Sequence, residues 1–198
     1  MRIGVDIDDV LVDALPHFLA AFNARFGKAV PLEQADWDIF REFPEIPATD
    51  RRAFWRTLED EGFLFQRPVK PEAAAAVQQL RALGQDLFLV TGRLPWHRAP
   101  TLQWLATQGL GEAFSGLRVK HPRRPAEEHK REAAAALRLD AFVEDERRTA
   151  EALVTLPLTV FLLDRPWNQG PALPGLHRVR DWPEVLAHLT VVPRSVPI

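Results

Sequence analysis

The chain has no cysteine. That excludes disulfides, thiolate zinc sites and a cysteine nucleophile, and leaves the redox compartment open. No apolar run is long enough to span a bilayer, so no membrane partner is expected. Neither sign of charge dominates. A net charge of −2 over 198 residues gives no electrostatic case for a nucleic acid polymer or an anionic surface as partner. The six histidines fall at no metal-ligand spacing. No Gly-x-Gly-x-x-Gly follows the first strand, which removes a dinucleotide-binding reading. The start carries no signal-peptide pattern, and a cytoplasmic location is the expectation. Internal repeats are absent as well. The remainder is ordinary: 46% hydrophobic and 26% charged residues describe a globular protein, long enough for one large domain or a core with a small insertion.

The informative stretch is the first thirteen residues, MRIGVDIDDVLVD. Ile3, Val5 and Ile7 alternate with smaller or polar residues, as in a strand. Carboxylates then gather at Asp6, Asp8 and Asp9, with Asp13 behind Val10, Leu11 and Val12. Strands favour neither Asp nor clustered like charge. Something must neutralise the cluster, and a hard cation does so naturally. Mg²⁺ takes oxygen ligands and usually keeps waters and a substrate phosphate.

Ala14 to Phe26 reads as a helix, with Leu15, Phe18, Leu19, Phe22 and Phe26 on one face, Asp13 as its cap and Gly27 at its end. Residues 28 to 48 are irregular and rich in proline and aromatics. A second helix opens at Thr49 or Asp50 and ends near Gly62. Residues 14–68 are thus expected to form a helical insertion over the strand ends. From Pro71 helices and strands alternate: strands at 86–90, 117–119, 141–143 and 158–163, helices at 71–83, 100–108, 127–138, 147–153 and 181–189. That rhythm predicts an α/β, Rossmann-like fold, a parallel sheet covered on both faces. The core is expected over residues 1–13 and 69–198.

Ligands of such sheets bind beyond the carboxyl ends of the strands. Asp6 and Asp8 end the first strand, Thr91 the second, and Glu144 with Asp145 the fourth. Lys130 lies in the helix before the fourth strand. Lys120, after the third strand, is the competing lysine. Each has a blander reading: Thr91 as a turn residue, Lys130 as one charge on the solvated face 127–132, and Glu144-Asp145-Glu146 as an acidic helix start. Their joint placement on one edge argues otherwise.

This set resembles the haloacid dehalogenase (HAD) superfamily of phosphatases. Asp6-Ile7-Asp8 matches its first motif, Phe88-Leu-Val-Thr91 its second, Lys130 its lysine, and Glu144-Asp145 its acidic pair. Residues 14–68 match its helical cap. More narrowly, the chain is similar to the 5′(3′)-deoxyribonucleotidases, through Asp6 to Asp13, Arg25-Phe-Gly27 with Trp37 downstream, Thr91-Gly-Arg93, Asp164-Arg-Pro-Trp-Asn168 and Arg180-Asp-Trp182. The resemblance implies a Mg²⁺-dependent phosphomonoesterase working through an aspartyl-phosphate. Asp6 would be the nucleophile and Asp8 the general acid and base. Thr91 and Lys130 would hold the phosphoryl group. Asp6, the backbone carbonyl of Asp8, and Asp145 would bind the metal. Glu144 would assist as a water-bridged ligand or by orienting Lys130. Asp9 stands where Gly is common, and adds a carboxylate that could raise a neighbour's pKa or take a second cation. Arg93 is a candidate substrate contact. Trp37 and Phe40 are candidates for stacking on the base of a nucleoside monophosphate. Two alternatives stand beside this reading. One is the same chemistry on a sugar phosphate or other small phosphomonoester. The other is a non-catalytic phospho-acceptor of receiver type, which lacks an acid two residues after the acceptor and lacks such a cap. A homodimer is left open.

Overall fold

The structure is a computed structural model and describes residues 1–191. The expected core boundary at 198 therefore ends outside the described residues. Six strands form one sheet: β1 Arg2–Val5, β2 Asp86–Thr91, β3 Gly116–Val119, β4 Ala141–Glu144, β5 Thr159–Leu163 and β6 Leu176–Val179. Seven α-helices accompany them among the described residues: α1 Leu15–Phe26, α2 Ala48–Asp60, α3 Pro71–Ala82, α4 Arg98–Thr107, α5 Ala126–Leu137, α6 Arg147–Leu153 and α7 Trp182–Val191. All strand pairs are parallel, in the order β3-β2-β1-β4-β5-β6. This is the α/β, Rossmann-like architecture expected.

Parallel strands are apolar on both sides because helices cover both faces. Ile3, Val5, Leu87, Leu89, Val143, Phe161 and Leu163 pack with α3, α4 and α7. Their strand neighbours Phe88, Val90, Phe142, Val160 and Leu162 pack with α5 and α6. β1 sits at the centre, Val5 in register with Leu89 on one side and Val143 on the other. Gly4 permits that closeness: a Cβ there would lie 2.5 Å from the Phe142 ring. The chain winds outward from β1 through β2 to β3, then crosses to β4 and winds the other way. The order reverses between β1 and β4, where ligands of such sheets gather.

β6 is absent from the sequence-based reading. Leu176-His-Arg-Val179 mixes two polar residues into four, and the strand lies at the sheet edge, so no apolar run announces it. The α1 cap also differs. Asp13 makes no cap bond to α1; its carboxylate meets Lys70 Nζ at 3.3 Å instead. The cap is Asp9, whose Oδ1 accepts the Ala14 and Leu15 N–H groups at 2.9 and 3.0 Å.

Between β1 and α3 the chain builds the helical insertion, with no strand in it. Its core is aromatic. Phe18 stacks on Trp55 at 5.0 Å and tilts against Trp37 at 4.8 Å. Phe22 meets Phe26, Phe40, Phe43 and Phe54 within 6.3 Å. No helix among the described residues is long and apolar enough to cross a membrane.

Candidate active site

The sheet ladder fixes the first carboxylate. One residue beyond β1, the Asp6 N–H still donates to the Val143 carbonyl at 3.1 Å. β4 ends on Glu144, with Asp145 next. α5 brings Lys130 across the same edge. Its Nζ donates to Asp6 Oδ2 at 2.8 Å and to Glu144 Oε2 and Oε1 at 2.9 and 3.2 Å. Glu144 Oε1 also accepts the N–H groups of Asp145 and Glu146. Lys120 does not reach this cluster; its Nζ donates to the Arg124 carbonyl. Carboxylate oxygens of Asp6, Glu144 and Asp145 lie within 4.8 Å of one another.

Every member is buried: Asp6 is 5% exposed, Lys130 3%, Glu144 0% and Asp145 4%. Burial pushes the carboxyls up. Glu144 reaches about 7 despite Lys130. Asp145 is held well above the usual range by burial, then by the charges of Asp9, Glu144 and Asp6. Asp6 is raised too, by burial and by Asp8 against the pull of Lys130. Burial would depress Lys130, but Asp6 and Glu144 outweigh it and keep the ammonium protonated. Three carboxylates thus face one cation. Glu144 spends both oxygens on Lys130, whereas Asp6 Oδ1 is buried with no hydrogen-bond partner. An oxygen-only donor set with surplus negative charge and an orphaned oxygen fits a hard divalent cation.

Asp8 lies to one side. Its two oxygens take Arg93 Nη2 at 2.8 Å and Nε at 3.0 Å, a bidentate pair. The Arg93 guanidinium is buried between the core and the insertion. It also donates to Thr101 Oγ1 at 3.3 Å and the Leu64 carbonyl at 3.0 Å, and lies over the rings of Phe65 and Trp104. In this structure Arg93 is therefore the partner of Asp8. Thr91 is fully buried at the end of β2, and its Oγ1 accepts the Arg93 N–H at 3.2 Å. The hydroxyl proton remains available to donate.

Asp9 is fully buried, with φ of 64°. Burial and Asp8 raise its pKa to about 7 against the amide bonds it receives. Its carboxylate is engaged by the start of α1, and it is not among the clustered ligand atoms. Trp37 is half-buried between the sheet core and the insertion core. Phe40 lies within the insertion core, edge-on to Phe22, Phe26 and Phe54, with little surface left for a base.

Two residues of the site escaped the sequence reading as functional positions. Trp167 Nε1 donates to Asp145 Oδ2 at 3.1 Å, and Asn168 Nδ2 donates to the Asp145 carbonyl at 2.6 Å. Both lie in the Asp164-Arg-Pro-Trp-Asn168 stretch that follows β5 at the carboxyl edge, which was the available signal.

An acid-lined edge at the reversal of a parallel sheet, with a lysine between two carboxylates, defines a site for anionic-group chemistry. The haloacid dehalogenase-like hydrolase family matches residues 2–154, and the chain belongs to that family. A Bacillus cereus protein named "Putative nucleotidase" is 25% identical over 93% of this chain and 96% of its own length. A Halalkalibacterium halodurans protein named "Putative nucleotidase BH1399" is 27% identical over 94% of this chain and 91% of its own length. A haloacid dehalogenase-like hydrolase from Streptococcus pneumoniae shares the fold with a TM-score of 0.68 and 15% identity, over 95% of this chain and 97% of its own.

Proposed function

We propose that this hydrolase is a Mg²⁺-dependent phosphomonoesterase of nucleotidase type, similar to the 5′(3′)-deoxyribonucleotidases, acting on nucleoside monophosphates. The observation that carries the reading is the Lys130 ammonium seated between Asp6 and Glu144 while Asp6 Oδ1 stays buried and free. The names of the full-length relatives support the substrate class.

A phosphate monoester repels nucleophiles, so neutralisation and alignment do most of the work. When bound by Asp6, Asp145 and the Asp8 backbone carbonyl, Mg²⁺ supplies charge neutralisation at the phosphoryl oxygens. Asp6 attacks phosphorus with a carboxylate oxygen, and the ester P–O bond breaks. Asp8, released from the Arg93 pair and protonated from solvent, gives that proton to the departing alcohol, then takes one from the water that hydrolyses the aspartyl-phosphate. Asp8 leaves the Arg93 pair for both steps. Thr91 donates to a phosphoryl oxygen, and Lys130 holds nucleophile and phosphate together. Residues 14–68 act as the cap, and Trp37, at its boundary with the core, stacks on the base.

The test is phosphate release from 5′- and 3′-deoxynucleotides, ribonucleotides and sugar phosphates, with and without Mg²⁺. Wild type is expected to hydrolyse nucleotides only with the cation, and Asp6→Asn to fall to background. Sugar phosphates ranking above every nucleotide would overturn the substrate class. A folded, Mg²⁺-binding protein that releases nothing would overturn the phosphatase reading in favour of a phospho-acceptor.

A further inference from the structure

Asp145 is held at both ends by two consecutive residues. Asn168 is 1% exposed and bonds the Asp145 carbonyl and the Leu163 carbonyl, at 2.6 and 2.7 Å. Arg178 locks Asn168 in turn, through its side-chain and backbone oxygens at 2.7 and 2.8 Å. Trp167 takes the other end, its indole N–H on Oδ2. The ring packs against the aromatic cluster of the insertion. Lys130 lowers the negative charge of the carboxylates it touches. A neutral indole N–H does not. It fixes one oxygen of Asp145 and leaves the carboxylate charge for a cation.

We propose that Trp167 is a positioning residue that sets the rotamer of Asp145 for the divalent cation. The proposal rests on the reading that the acidic cluster binds such a cation. Outer partners that orient a metal carboxylate are typically worth about 10–100-fold in metal affinity.

Trp167→Phe keeps a ring against the insertion and removes the N–H. Titration calorimetry with Mn²⁺ and with Mg²⁺ on wild type and W167F is the first experiment. The variant is expected to bind each cation about tenfold more weakly or worse. Its Mg²⁺ half-saturation in the phosphatase assay should rise in step, with kcat at saturating Mg²⁺ nearly unchanged. Equal affinity in the two proteins overturns the role of Trp167 alone. A wild type that binds neither cation overturns the metal reading and this proposal together. The second measurement needs no folded W167F. In ¹⁵N spectra of the wild type, an indole N–H signal displaced by Asp145→Asn should also be displaced by Mg²⁺. If no indole signal responds to both, the proposal fails.

Discussion

The carboxyl edge of the sheet and the core of the insertion are equally dry, and they tolerate burial for opposite reasons. In the insertion, Phe18, Phe22 and Phe54 are at most 4% exposed, and each ring meets several others at 4.8–6.3 Å. Dispersion and apolar burial complete that cluster from within. At the edge, Asp6, Glu144 and Asp145 are as deeply buried, yet one ammonium faces three carboxylates and one oxygen has no partner. Uncompensated buried charge is costly. That cost sits at the strand ends, and among the described residues the insertion buries no charged side chain. Stability and chemistry have been separated in space.

The largest expected effect on this contrast comes from Lys130→Met. It removes the only ammonium of the cluster and should lower kcat by about 10²–10³-fold. Phe22→Ala attacks the other region. It should cost about 3–5 kcal/mol in urea unfolding, since a ring with four aromatic neighbours is lost. Cation affinity in that variant should stay at the wild-type value while it remains folded; a parallel loss would show that the two regions are not independent.

The third test is a pH dependence. Glu144 goes from 4.5 to about 7 on folding, and Asp9 from 3.8 to about 7. The folded state therefore keeps protons that the unfolded state has shed. That contribution is full below about pH 4 and is lost as pH rises towards 7. Lys130, raised from 10.5, acts only above this window. Metal-free protein should thus show Tm falling between about pH 4.5 and 7, and saturating Mg²⁺ should flatten the fall. A metal-free profile flat over that range would remove the electrostatic half of the comparison.

The strands that carry the site were legible because each couples an apolar run to an abrupt polar stop: Val5 to Asp6, Val90 to Thr91, Val143 to Glu144. The start of α3 followed from Pro71 and the end of α1 from Gly27. What could not be read depended on side-chain direction. The stripe Leu15, Phe18, Leu19 and Phe22 announced a buried face, but Phe40 and Trp37 looked alike until the fold put one inside the insertion and the other at its boundary. Arg93 reads from the sequence as a candidate substrate contact; that it reaches 85 residues back to Asp8 is a property of two adjacent strands. Asp9 looked like a spare ligand because only its positive φ turns it towards α1.

That turn of Asp9 sets a grafting rule. Its carboxylate belongs to the core loop, whereas both amides it binds open the insertion. The junction is therefore keyed: any replacement segment spliced after Asp13 must begin with a helix whose first free N–H groups fall at positions 14 and 15. A segment that starts with a strand, or with proline at position 15, would strand a fully buried carboxylate three residues from the proposed nucleophile. Exchange of the insertion for another substrate specificity is thus a question of matching a helix start first and a binding surface second.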